Sequence, residues 1–437
     1  MSTRVLTVAL VVALSLCSES SAGAQAGASQ QNSMQKPPPV SGQSYRIETG
    51  MEERQNYIRG GIGVGGGYVD NLYPASSGAG QFSEKLIALQ PSIAFDTTSA
   101  RLHTSVAYNP NFIFYEPTSS LNEADHSVAA NFGYRFTPRF SMDVNDTFQR
   151  TSSGFNQIGA GGISGSTQSP ALIVGYVEHT LNLANAGLSY QFSPHGMIGA
   201  LGDTGTLNYA GSSQTGGLAD SNSRGAGGFY NHRVSASQYL GAIYRFEQAF
   251  AYSTQGQYET QTHEIDGFYT LYVTQTLSLS VSAGPQHYRA TSPLSSPISN
   301  WTPTVTASMG LQKRHASFAA AFSRTVSGGG GLLGSFYSRH AGAMGVWQFS
   351  RLWNSSLSVD YTINKDAAPL VEVTSFSGHT FATSLSLERT ISAHTRASLR
   401  YERLQNQYDG IPSIANNPNS DRIMISYFWD FQRPIGR

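Results

Sequence analysis

Residues 301–312, "WTPTVTASMGLQ", alternate strictly. Trp301, Pro303, Val305, Ala307, Met309 and Leu311 share one parity, while Thr302, Thr304, Thr306, Ser308, Gly310 and Gln312 share the other. Successive side chains of a strand point to opposite faces, so this segment has one apolar face and one small, mostly hydroxylated face. A strand in a soluble sheet needs only about five or six residues. Alternation over the whole of 301–312 fits a tilted strand crossing a bilayer, apolar toward hydrocarbon and polar toward water.

The same texture recurs from about Asn56 onward. One parity carries Val106, Tyr108, Phe112 and Phe114; Val128, Phe132, Tyr134 and Phe136; Phe140, Met142, Val144 and Phe148; Leu277, Leu279 and Val281; and Ile423, Ile425, Tyr427, Trp429 and Phe431. The other carries Asn131 and Arg135; Ser141, Asp143 and Asn145; and Ser278, Ser280 and Ser282. Tight connections fall at "TTSA" near 97, "TPR" near 137, "SPHG" near 193, "SASQ" near 235, "VTQT" near 273, "KRH" near 313, "FSR" near 349 and "TISAH" near 390. They alternate with longer stretches such as "GSSQTGGLADSNSRGAGG", "TSPLSSPISN" and "KDAAPLVEV". This predicts an all-β, transmembrane antiparallel β-barrel of about eighteen strands, sixteen being the nearest alternative, with short periplasmic turns, longer extracellular loops and both termini periplasmic. A soluble β-sandwich also alternates, but with shorter strands around a core. Four residues fit poorly: Pro91, Pro110 and Pro303 sit where a ladder amide is wanted, and Asp146 falls on the lipid parity.

Composition agrees. Only 12% of the 437 residues are charged, with 27 basic against 27 acidic, whereas roughly a quarter is ordinary for a soluble domain. The balance gives no reason to expect nucleic acid as a partner. Arg4, the apolar run "VLTVALVVALSL" and Ala22-Gly23-Ala24 predict a signal peptide over 1–24 and export. Cys17, the only cysteine, lies within it, and Leu16 is a poor neighbour for lipidation. No later run of about twenty apolar residues predicts a spanning helix. The expected organisation continues with a flexible periplasmic segment over 25–55, containing "QKPPPVSGQ", a barrel over 56–432 and a short tail over 433–437.

Inward parity assigns the lumen Arg135, Asp143, Arg245, Glu247, Glu264, Asp266, Glu388, Arg396, Arg400 and Glu402. Opposed charges across water filter solutes; the same charges can instead be internal salt bridges of a filled barrel, and the sequence leaves both open. Aromatics beside the tight turns, Phe136, Phe140, Phe192, Phe246, Trp347, Trp353, Trp429 and Phe431, are expected to form a periplasmic girdle. The third long loop, Ser152 to about Tyr176, is small-residue-rich and can fold into the lumen or stand at the surface. "GGGGLLGS" at 328–335 lacks the lysine of a phosphate loop and reads as a flexible outer loop.

Neither a nucleophile elbow nor a metal-ligand pattern is present. In "THEID", His263 and Glu264 point to opposite faces of a strand and cannot share an ion. No cofactor and no catalytic residue is expected.

Segments "RLHTSVAYNPNFIFY", "HSVAANFGYRFTPRFSMDVNDTFQRTS", "YETQTHEIDGFYTLYVTQTLSLSVSAGPQHY" and "DRIMISYFWDFQRPIGR" resemble outer-membrane β-barrel proteins of Gram-negative bacteria. More loosely, they are similar to the β-barrel porin family linked with exopolysaccharide loci. The resemblance covers essentially the whole chain after the signal and consists of strand texture. It implies a porin-like channel for small hydrophilic or saccharide-like solutes, or a non-conducting barrel serving as a surface scaffold or a component of exopolysaccharide secretion. The partners implied are outer-membrane lipids, polysaccharide-export components and the barrel-insertion machinery. That machinery reads a final aromatic; here "YFWDF" is followed by "QRPIGR", so Phe431 is expected to take that part.

Overall fold

The computed structural model describes residues 56–70, 83–119, 122–152, 154–155, 177–210, 218–253, 256–293, 295–328, 330–367, 377–409 and 419–434. The strands in chain order are β1 (Tyr57–Val69), β2 (Glu84–Thr98), β3 (Leu102–Tyr108), β4 (Asn111–Glu116), β5 (Glu123–Thr137), β6 (Phe140–Thr151), β7 (His179–Gln191), β8 (Gly196–Tyr209), β9 (Asp220–Arg233) and β10 (Gln238–Ser253). They continue with β11 (Gly256–Tyr272), β12 (Leu277–Ser292), β13 (Ser295–Gln312), β14 (Ala316–Gly328), β15 (Ser335–Gln348), β16 (Trp353–Asp366), β17 (Ser377–Thr390), β18 (Thr395–Asp409) and β19 (Ser420–Pro434). Neighbours in sequence pair antiparallel, except β3 and β4, and β19 returns to β1, from Tyr57 opposite Pro434 to Val69 opposite Arg422. The sheet is closed. Since β3 and β4 both lie between β2 and β5, the wall has eighteen staves.

Each predicted tight connection lies between strands on one rim, where β1 also begins and β19 ends. Two predicted loops are strand instead. "TSPLSSPISN" belongs to a long β12–β13 hairpin with a register shift between Ala290 and Ser292. The stretch 220–228, Gly- and Ser-rich, is the first half of β9, because β8 and β10 on either side supply partners for its backbone and the carboxylate of Asp203 packs where Gly225 lacks a side chain.

The prolines explain themselves in pairs. Pro110 separates β3 from β4, and Pro91 stands opposite that break, between the β2 residues that pair with β4 (to Leu89) and with β3 (from Ile93). The two prolines thus face each other where the ladder between β2 and the β3–β4 stave is already broken. Pro303 faces Pro285 on β12, on a part of β13 that has no β14 partner. On its other side Pro285 interrupts the β11–β12 pairing, which stops at Glu264 opposite Gln286 and resumes in the same register at Gly267 opposite Ala283. There the backbones approach so closely that a Cβ at Gly284 would overlap the Ile265 carbonyl oxygen. Gly284→Ala is expected to cost about 1–3 kcal/mol, read as a lower urea midpoint in lipid vesicles; an unchanged midpoint would show that the interruption is soft.

Outward side chains form an apolar belt that includes Ile87, Ile93, Val281, Trp301, Trp347, Leu385 and Ile425, the last 64% exposed. A contiguous belt of this kind is far beyond what a water-soluble surface carries, so the wall faces hydrocarbon. Asp146 is also outward, on the parity shared with Val144 and Phe148, and its carboxylate accepts a hydrogen bond of 2.9 Å from Asn182 Nδ2. The alternation therefore runs through Asp146 without a slip.

Candidate functional site

The lumen is divided along its axis. In the tight-turn half, inward side chains are largely half-buried and polar, except along β9–β12, where they are mostly buried. Asn145 donates to Asn185 at 2.9 Å, and hydroxyl pairs join Ser141 to Ser189 at 2.8 Å and Ser356 to Ser386 at 2.6 Å. Arg396 bridges Glu388 at 3.0 Å and Asp430 at 2.9 Å. Arg400, inward and exposed, makes no hydrogen bond or ion pair among the described residues. This half is a water-accessible chamber. Toward the long-loop rim the inward residues of every stave but β13 become buried, among them Ile113, Leu207, Tyr288, Phe336, Tyr408 and Arg422.

Among the described residues, what fills that half is chiefly the hairpin joining β14 to β15. β14 pairs with β13 only as far as Arg324 opposite Val305. Beyond that point the chain turns inward, and the side-chain amide of Gln286 on β12 takes the place of a strand partner. Its Nε2 donates to the Val326 carbonyl at 2.9 Å, and its Oε1 accepts from the Val326 amide at 2.8 Å. The hydroxyls of Thr260 on β11 and Ser335 meet at 2.6 Å. At the tip, Ala219 N donates to Gly331 O at 3.0 Å, and Gly331, at φ +94°, lies so close to the Tyr209 hydroxyl that a Cβ would collide with it. Leu332 joins Leu181, Leu183, Leu207, Tyr209 and Leu218 with Phe336 and Tyr408 in one apolar cluster, which links β7 and β8 to β15 and β18 on the opposite wall. Leu333 packs with Ala219, Ala251 and Tyr258. Thus "GGGGLLGS" is an internal plug rather than an outer loop. Its glycines supply left-handed turns, and its two leucines meet apolar partners inside the lumen.

The third long loop lies mostly outside the described residues. Its beginning does enter the lumen: the Phe155 ring stacks 4.7 Å from the Arg422 guanidinium and packs beside Val69, Leu86, Ala88, Ile113, Tyr115 and Met424. Arg422, 2% exposed, is held by Glu402 Oε2 at 2.7 Å through both Nε and Nη2.

All the charges assigned to the lumen by parity point inward, but they serve different places. Arg245, Glu247, Glu264 and Asp266 are buried; Asp266 accepts from the Thr304 hydroxyl at 2.6 Å. Arg135, exposed near the tight-turn rim, donates to the Ala100 carbonyl at 2.6 Å, and Asp143 is half-buried. Glu388, Arg396 and Arg400 face the chamber, and Glu402 belongs to the filled half. His263 projects outward, away from Glu264 and Asp266. Two inward residues of equal weight, Arg422 and Asp430, escaped the sequence reading although they alternate with the outward set Ile423, Ile425, Tyr427 and Trp429.

Aromatic rows border the belt. Along the tight turns, Phe136 stacks on Phe140 with centroids 4.9 Å apart, Phe349 on Trp353 at 6.2 Å and Phe192 on Tyr230 at 6.3 Å, while Trp347 lies beside Phe349 and Trp429 beside Phe431. Phe246 is not in this row. It contacts His263 at 5.0 Å, well up the strand from the turn at 234–237, in a line that continues through His287 to Trp301. Proximity in sequence to "SASQ" misplaced it, because β10 is long enough to carry it to the other border.

A closed wall of eighteen staves with an apolar exterior and a lumen half chamber, half packing defines a transmembrane antiparallel β-barrel. No protein-family model matches the chain, and no curated protein is similar to it in sequence. Among solved structures it is similar to Acinetobacter baumannii OccAB3, at 10% identity over 86% of this chain and 99% of that one, with a TM-score of 0.42. It is also similar to Pseudomonas aeruginosa OccK2 (OpdF) in complex with glucuronate, at 10% identity over 87% and 99%, TM-score 0.42. The FrpB iron transporter from Neisseria meningitidis (F5-1 variant) aligns at 8% identity over 86% and 82%, TM-score 0.42.

Proposed function

We propose that the protein is a porin-like channel of a Gram-negative outer membrane, passing small hydrophilic or saccharide-like solutes by passive diffusion, with its tight turns in the periplasm. The observation that carries this reading is the chamber. Asn145, Asn185, the serine pairs, Arg400 and the Glu388–Arg396–Asp430 triad present donors and acceptors to water. Opposed charge and amide groups of this kind select by size and polarity. In this reading the β14–β15 hairpin closes the route at the long-loop end and leaves the lumen when the channel conducts. The phosphate-rich lipid environment and the insertion machinery reading Phe431 on the last strand are the partners it needs.

Thr260 and Ser335 provide the test. Their hydroxyls are close enough for a Thr260→Cys/Ser335→Cys pair to form a disulfide, and Cys17 is the only native cysteine. In planar bilayers the oxidised pair is expected to stay closed and the reduced pair to open in steps like the parent chain, here the chain from Gln25 onward. Absence of openings in the reduced pair and in the parent, with folding verified by heat-modifiable gel migration, would exclude the open-channel reading. Equal openings in both redox states would show that the hairpin is not the closure.

A further inference from the structure

Outward arginines near the long-loop rim are generally partnered. Arg150 pairs with Glu178, Arg403 with Asp421 at 3.4 Å, and Arg224 donates to Gln248 Oε1 at 2.6 and 2.9 Å. Arg324 and Arg339 differ. They stand directly opposite each other on β14 and β15, on the outward parity of Phe322 and Trp347, and neither has a hydrogen bond or ion pair among the described residues. Directly opposed side chains in an antiparallel pair have Cβ atoms about 4.5–5.5 Å apart, and like charges there are destabilising. Lys365, outward and exposed on β16, adds a third cation. It is diagonal to Arg339, whose partner is Ile363 two residues earlier. No carboxylate occupies an outward position of β13–β16 among the described residues.

Their location points to what neutralises them. Arg324 is the last β14 residue to pair with β13, and from Ser295 to Thr304 β13 has only β12 as a strand partner. The cations therefore sit on the outer wall beside a seam, with apolar Val305 and Ile363 on the adjoining staves. Water and free salt reach that height, but the anions held there permanently are lipid headgroups. Two guanidinium forks can share the oxygens of one phosphate, each through paired donors. We propose that Arg324, Arg339 and Lys365 bind the phosphate of an anionic membrane-lipid headgroup at the β13–β14 seam. The site is outside the lumen and does not depend on conduction.

The test is native mass spectrometry of the refolded chain carried in equal amounts of phosphatidylglycerol and phosphatidylcholine. A cation near an anionic surface favours binding by about fivefold, so the parent is expected to retain phosphatidylglycerol at least about fivefold over phosphatidylcholine. Arg324→Gln/Arg339→Gln should bring the ratio close to one, while Arg150→Gln, which removes a partnered arginine, should leave it intact. Equal retention by the parent, or a preference unchanged in the double variant, overturns the proposal. If inorganic phosphate abolishes the parent's preference and chloride of equal ionic strength does not, the site takes free anions and the lipid assignment fails.

Discussion

Deleting residues 330–334 is expected to hold the barrel open, with an open probability in planar bilayers several-fold higher than that of the parent chain. The tip of the hairpin places Leu332 in an apolar cluster that bridges opposite walls and Leu333 in a second cluster with Ala219, Ala251 and Tyr258. Eighteen staves without such a filling enclose an aqueous interior. The wall itself survives the deletion, because β14 and β15 remain paired below the tip from Ala316 opposite Trp347 upward. Losing the leucine contacts costs about 2–5 kcal/mol for each side chain, so the folded fraction must be checked by gel migration before conductance is compared. An open probability unchanged from that of the parent would mean that the hairpin does not obstruct the path.

The second large effect is on stability. Glu402→Ala removes the carboxylate that holds Arg422, a guanidinium 2% exposed under the Phe155 ring. Removing one member of a buried ion pair costs about 3–5 kcal/mol, which should appear as a much lower urea midpoint in vesicles. Glu388→Ala in the water-accessible triad is the control: Arg396 keeps Asp430 at 2.9 Å, and a solvated ion pair is worth about 0–1 kcal/mol. Similar losses in the two variants would contradict the axial division of the lumen.

The wall was legible because lipid imposes its pattern residue by residue. Strict parity in 301–312 and recurrent turn residues located the staves, and Pro91, Pro110 and Pro303 marked real interruptions without revealing which of them face each other. The interior was much less legible. The plug depends on Gln286 meeting Val326, Thr260 meeting Ser335 and Gly331 meeting Tyr209, contacts between distant segments that leave no local period. Glycine misled in both directions: at 220–228 it suggested a loop where neighbouring strands impose a stave, and at 328–335 a surface loop where two leucines draw the chain inside. Parity placed Arg245 and Arg400 on the same inner face, yet one is packed and the other wet, because burial in a lumen depends on what the opposite wall and the loops contribute.

The axial division also shapes the electric field. Across a barrel with one watery half and one packed half, an applied potential drops mainly over the packed half, since ions in the chamber carry its mouth to nearly the potential of the adjoining solution. The hairpin lies in the region where that drop concentrates. Moving an elementary charge through a full membrane potential exchanges about 2.3 kcal/mol per 100 mV, but "TVSGGGGLLGSFYS", residues 325–338, contains no ionisable group other than Tyr337. The plug thus carries no gating charge at neutral pH: voltage of either sign does almost no work on it, and its position is set by packing and by what occupies the chamber beneath.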